Sequence, residues 1–62
     1  MKDQIKHVQR FLNWALGLNI SVSGKYGDAT EGAVRDFQKA AGIAADGSWG
    51  KDTLAASRTF TK

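Results

Sequence analysis

The sequence predicts an all-α fold, a compact three-helix bundle, and three observations carry that expectation. Two stretches place apolar residues at helical spacing and each ends at a glycine; a third, shorter one follows; and a glycine–aromatic–glycine turn precedes both the second and the third. The chain has 62 residues, so it is read as a single domain spanning 1–62, close to the smallest size at which a hydrophobic core folds unaided. Hydrophobic residues make up 42%, including two Trp, three Phe and one Tyr, which is the composition of a packed core and not of a disordered chain.

In the first element Ile5, Val8, Leu12, Ala15 and Leu16 recur at i, i+3, i+4 and i+7, with Asp3 as an acidic first-turn residue. Gly17 is expected to end this helix in a left-handed conformation. From Leu18 to Gly27 the chain alternates Leu18, Ile20 and Val22 with Asn19, Ser21 and Ser23. That period of two predicts an extended connector laying its apolar side on the core, without requiring a formal sheet. The second helix is expected from about Asp28 to Ala41, burying Thr30, Ala33, Val34, Phe37, Ala40 and Ala41 and capped by Gly42. Asp28 heads a capping-box-like Asp28-Ala29-Thr30-Glu31 and is expected to accept backbone N–H bonds there. The third helix is expected from about Lys51 to Ser57 or Arg58, burying Leu54 and with Phe60 as a further core candidate.

An internal echo ties these elements together. Gly24-Lys25-Tyr26-Gly27-Asp28-Ala29-Thr30 recurs 23 residues later as Gly47-Ser48-Trp49-Gly50-Lys51-Asp52-Thr53, and the match continues through Ala33/Ala56, Arg35/Arg58 and Phe37/Phe60. Glycines allow each tight turn, the aromatic is expected to tuck inward, and the threonine hydroxyl can bond back to the helix start. Two copies are too few for a solenoid and predict a pseudo-symmetric single domain.

These motifs resemble the small three-helix peptidoglycan-binding domain of bacterial and phage cell-wall hydrolases. The resemblance rests on Val8-Gln9-Arg10-Phe11-Leu12-Asn13, then Ser23-Gly24-Lys25-Tyr26-Gly27-Asp28-Ala29-Thr30. It continues through Ala33-Val34-Arg35-Asp36-Phe37-Gln38, then Gly42-Ile43 and Asp46-Gly47-Ser48-Trp49-Gly50-Lys51-Asp52-Thr53. It covers roughly residues 5 to 56. Ser23 stands where the family usually has Asp, and Asp28 and Lys51 stand where proline is common. The resemblance implies a cell-wall location, peptidoglycan as partner (glycan strand or stem peptide) and an attached catalytic domain. The domain itself is expected to be a monomer without cofactor, binding neither nucleic acid nor membrane.

The chemistry of the remaining residues agrees with a non-enzymatic module. There is no cysteine, which removes disulfides, Cys-ligated zinc and thiol nucleophiles. His7 is the single histidine and, about 130° from the apolar stripe, is expected to face water. Asp46 and Asp52 are candidates for an acid–base pair, but Asp46 better fits closure of its own Asp-Gly turn and Asp52 a helix start. Gly47-Ser48-Trp49-Gly50-Lys51 lacks phosphate-loop spacing, and the region is too poor in carboxylates for a calcium loop. No apolar run approaches the roughly 20 residues that span a bilayer, and the charged opening MKDQIKHVQR predicts no secretion signal.

Candidate ligand contacts are Trp14, Arg10, Tyr26, Arg35, Gln38 and Trp49. Trp14 lies about 150° from the stripe of its helix, sharing a face with His7 and Arg10, which suits a stacking platform beside a cation. Alternatively the chain near Phe60, the N-terminus, the Leu18 connector or a neighbouring domain covers it. Tyr26 and Trp49 fill the aromatic slot and are expected to be mainly core, with the Tyr26 hydroxyl available at a groove rim. Arg35 points outward, either pairing with Glu31 one turn earlier or clamping a stem-peptide carboxylate. Gln38 either bonds a loop carbonyl or meets ligand, and Gly32 sits on the same outer face. The net charge of +3 and pI near 9.6 leave open a second class, a basic helix-turn-helix nucleic-acid module. Glu31, Asp36 and Gln38, expected among the outward groups of the second helix, count against it. A third reading docks the module on its own catalytic domain through Trp14.

Overall fold

Lys2–Leu16 forms the first helix, α1, because its apolar residues fall on one stripe; Val8 and Leu12 are buried and Phe11 and Leu16 pack against them. A computed structural model describes residues 2–61; Met1 and Lys62, the ends of the expected domain, lie outside the described residues. Gly17 takes a left-handed φ of 65°, which lets the Leu18 amide reach back to the Asn13 carbonyl at 3.1 Å and stops the helix. Asn13 then clasps the connector through its side-chain amide. It donates to the Ile20 carbonyl at 3.0 Å and accepts from the Ile20 N–H at 2.9 Å, so the connector is held without a β-ladder. Ile20 packs on the core as expected, but Leu18 does not: standing directly after the glycine reversal, it is exposed.

The second helix, α2, is Asp28–Ala41, and α1 packs directly on it. Its stripe buries Thr30, Ala33, Val34 and Phe37, while Ala40 and Ala41 are exposed in the last turn, beyond the buried Phe37 and Gln38. Gly42 closes it with φ 76°, and the Ile43 amide bonds the Gln38 carbonyl at 3.1 Å. The capping expectation for Asp28 is corrected: Gly27 is the N-cap, no side chain caps the helix, and Asp28 is the first helical residue. There its carboxylate meets the positive end of the helix dipole without a bond of its own.

The third helix, α3, is Lys51–Thr59, a residue longer than the longer expected limit, and Phe60 leaves it in an extended conformation. Leu54 was expected in the core and is instead 41% exposed; α3 turns Thr53 inward. The core is unusually aromatic. Phe11 and Phe37 meet edge to face at 5.1 Å, Trp49 stacks on Phe37 at 6.0 Å, and Phe60 contacts Phe37 at 5.5 Å. Phe60 thereby ties the end of α3 into the packing of the first two helices.

The repeated turn is real in the backbone. Gly24 and Gly47 have φ of 79° and 80°, and Gly27 and Gly50 have φ/ψ of −100/−167° and −99/−165°. In each copy the second glycine amide bonds the carbonyl two residues earlier at 3.0 Å, and its own carbonyl accepts the first helical bond at 2.9 Å.

Candidate functional site

Each turn is held from inside by one buried glutamine. Gln9 of α1 donates to the Lys25 carbonyl and the Thr30 hydroxyl, both at 3.0 Å, and accepts from the Gly24 amide at 3.0 Å. Gln38 of α2 does the same for the second turn, donating to the Ser48 carbonyl at 2.8 Å and the Thr53 hydroxyl at 2.9 Å and accepting from the Gly47 amide at 2.9 Å. Both are 1% exposed. Of the two roles expected for Gln38, the loop bond is the one the structure forms: its amide is enclosed and engaged with its own turn. Gln9 carries the same duty, yet only its pairing with the first turn in space reveals it.

The outer side of each turn is closed by a short polar side chain. Ser23 Oγ accepts from the Lys25 amide at 3.2 Å, and Asp46 Oδ1 accepts from the Ser48 amide at 2.9 Å. Asp46 also receives the Gln38 amide at 3.0 Å. These two bonds, with a smaller contribution from Arg35, hold the Asp46 carboxyl below the usual aspartate range, so it is an acceptor and a poor proton donor. Asp46 and Asp52 do share a polar hollow of about 390 Å³ with Ser48, Lys51 and Thr53, but Asp46 is committed to the turn.

The two aromatics of the repeat part company. Trp49 is half-buried, stacked on Phe37 and edge-on to Phe11 at 6.0 Å. Tyr26, expected mainly in the core, is 37% exposed. Its hydroxyl is not free at a rim, because it donates to the Gly47 carbonyl and so joins the first turn to the second. Partial burial, then the Glu31 and Asp46 carboxylates, push its pKa above that of an ordinary tyrosine and keep the hydroxyl a donor.

Tyr26 and Trp49 nevertheless line one groove of about 870 Å³. The amino-terminal half of α1 supplies Ile5 and Val8, with Asp3, Gln4 and His7. Opposite stand Ser48 and Gly50 of the second turn and Lys51 and Leu54 of α3. Leu54 is thus explained: it is exposed because it walls the groove. Neither Leu54 nor Ile5 is distinguishable from core by spacing alone.

The other expected contacts lie elsewhere. Trp14 is 50% exposed, with its ring 6.0 Å from Phe11 and 5.9 Å from Phe60, so the chain near Phe60 covers it only in part. Arg10 is exposed, and neither it nor Trp14 lines the groove that His7 joins. Arg35 lies 4.0 Å from Glu31, and both side chains cover Gly47, whose missing Cβ would stand 2.8 Å from Glu31 Cγ. Among the described residues no cluster of three or more His, Cys, Asp or Glu could hold a metal ion, and no helix is long and apolar enough to cross a membrane.

The three-helix scaffold thus carries a surface groove beside its internally clamped glycine turns. Residues 1–56 match the family model described as "Putative peptidoglycan binding domain", and the chain belongs to that family. It is 41% identical over 56 residues to the autolytic lysozyme of Clostridium acetobutylicum, a match that covers 90% of this chain and 17% of that protein. No solved structure gives a significant match.

Proposed function

We propose that this domain is a non-catalytic module that holds an attached cell-wall hydrolase on peptidoglycan, at the wall side of the envelope, and that the groove between α1 and α3 makes the contact. The observation that carries this reading is the groove itself, walled by the aromatics of both turn copies, in a member of the peptidoglycan-binding family. The kinship with an autolytic lysozyme, of which the chain spans a small part, supports the attachment to a hydrolase. Weak contact suffices for such a role, because tethering converts modest intrinsic affinity into a high local concentration of enzyme on the polymer.

The test is co-sedimentation of the domain with purified insoluble peptidoglycan, beside an unrelated protein of equal net charge. Retention above that control supports the reading, and retention equal to it overturns it. Binding should also survive moderate salt, since contact through aromatic and aliphatic groups releases few counterions, whereas a nucleic-acid module loses affinity steeply.

A further inference from the structure

We propose that the groove receives the neutral N-acetylated sugar strand of the polymer and not its peptide stems; this rests on the wall-binding reading above. The walls and floor argue for it first. Ile5 and Leu54 supply aliphatic surface, with the edge of the buried Val8 at the floor, and Tyr26 and Trp49 supply rings. Such a surface complements the C–H faces of pyranose rings and the methyl of an acetamide, which bury apolar area without needing a charge partner.

Both aromatics are fixed before any ligand arrives. Trp49 is held by its stacking on Phe37 and its edge contact with Phe11. Tyr26 is held by its bond to the Gly47 carbonyl, which uses its hydroxyl and leaves the ring as wall. A preformed surface avoids the ordering cost that would otherwise consume a small contact energy.

The charges argue second. A peptide stem presents free carboxylates and calls for a guanidinium or a cluster of amines. Among the described residues the groove carries one acid, Asp3, and one amine, Lys51, so its lining has no net charge when His7 is neutral. Arg10 and Arg35 are not part of it, and Arg35 is turned toward Glu31. The polar groups that do line it, Gln4, His7 and Ser48, are suited to hydroxyl and acetamide partners.

The experiment is a chemical-shift titration of the isotope-labelled domain with an N-acetylglucosamine tetramer and, separately, with a free stem pentapeptide, alongside the sedimentation assay on intact peptidoglycan. The tetramer should shift the amides of Ile5, Val8, Trp49 and Leu54 saturably, with a dissociation constant on the order of millimolar. The pentapeptide should not. Leu54→Ala, at a position 41% exposed, should weaken tetramer binding about three- to tenfold while leaving the circular dichroism of the folded state unchanged and the melting temperature lower by only about 4–8 °C, so that the domain is still folded under the titration conditions. Shifts from the pentapeptide alone, tetramer shifts confined to the Trp14 side, or no groove shift from either fragment would each overturn the glycan assignment while sedimentation still upholds wall binding. Loss of sedimentation would instead remove the reading on which it rests.

Discussion

Replacing Gln38 with methionine tests the idea that an enclosed amide, and not the glycine turn by itself, shapes the second turn. Methionine keeps the volume and removes every bond. The Gly47 amide, on a buried residue, would lose its acceptor, at about 1–3 kcal/mol for a buried donor left unsatisfied. The Ser48 carbonyl and Thr53 hydroxyl retain each other at 3.4 Å and the exposed Asp46 can turn to water, so their loss adds only about 1 kcal/mol. The sum, about 2–4 kcal/mol, is large against the roughly 3–9 kcal/mol expected for a chain this small. At about 4–8 °C per kcal/mol the melting temperature should fall by at least about 8 °C. Thermal unfolding followed by circular dichroism reads this, with the exposed Gln4→Met as a control expected to stay within about 0.5 kcal/mol of the parent. Gln9→Met should cost slightly less, because Gly24 is only half-buried. A Gln38→Met protein melting within about 3 °C of the parent would refute the clamp.

Two glycines, Gly32 and Gly47, give opposite expectations. Gly32→Ala meets open space inside α2 and should stabilise by about 0.5–1 kcal/mol, whereas Gly47→Ala, at φ 80° and 2.8 Å from Glu31 Cγ, should destabilise by about 1–3 kcal/mol; urea midpoints measure both. Asp46→Ser copies the first turn into the second and should flatten the acid limb of the stability curve. The native carboxyl, with a folded pKa below its unfolded one, contributes stability that is present above about pH 4 and lost as pH falls through the lower folded value. Equal pH slopes for the two proteins between pH 5 and about pH 2 would contradict that assignment. Tyr26→Phe keeps the wall and removes the tie to Gly47, and should cost about 0.5–1.5 kcal/mol in chemical denaturation without altering the helix content.

The parts of the fold that were legible in sequence are those governed by local rules. Gly17 and Gly42 ended their helices because left-handed reversal is a property of the residue itself, and the two turns matched because the same residues impose the same torsions. Leu54 and Tyr26 were misplaced for the opposite reason. The burial of Leu54 depends on where α3 lies against the rest of the chain and that of Tyr26 on what its turn packs against, and no spacing within one segment encodes either. Trp14 was correctly placed away from the stripe of its helix, but a helical wheel does not show that Phe60 reaches it from the end of the chain. Gln38 was ambiguous because an amide suits a ligand and a turn equally well; its 1% exposure decides for the turn.

The unequal fates of Tyr26 and Trp49 show what the duplication achieves. With matching torsions, the two turns offer an aromatic at the same place, so the difference must come from what each turn packs against. The second turn lies on Phe37 and Phe11, which take in the Trp49 ring. The first turn's ring stays half outside and bonds across to the carbonyl of Gly47, the residue that opens the second. One aromatic therefore anchors the second turn to the core while the other spans between the turns, and both rings line the groove. A single copy of the motif could start a helix, but it could not make two walls. A change that frees the second turn, such as loss of the Gln38 amide, should thus disturb the Tyr26 wall as well, although Gln38 itself does not line the groove.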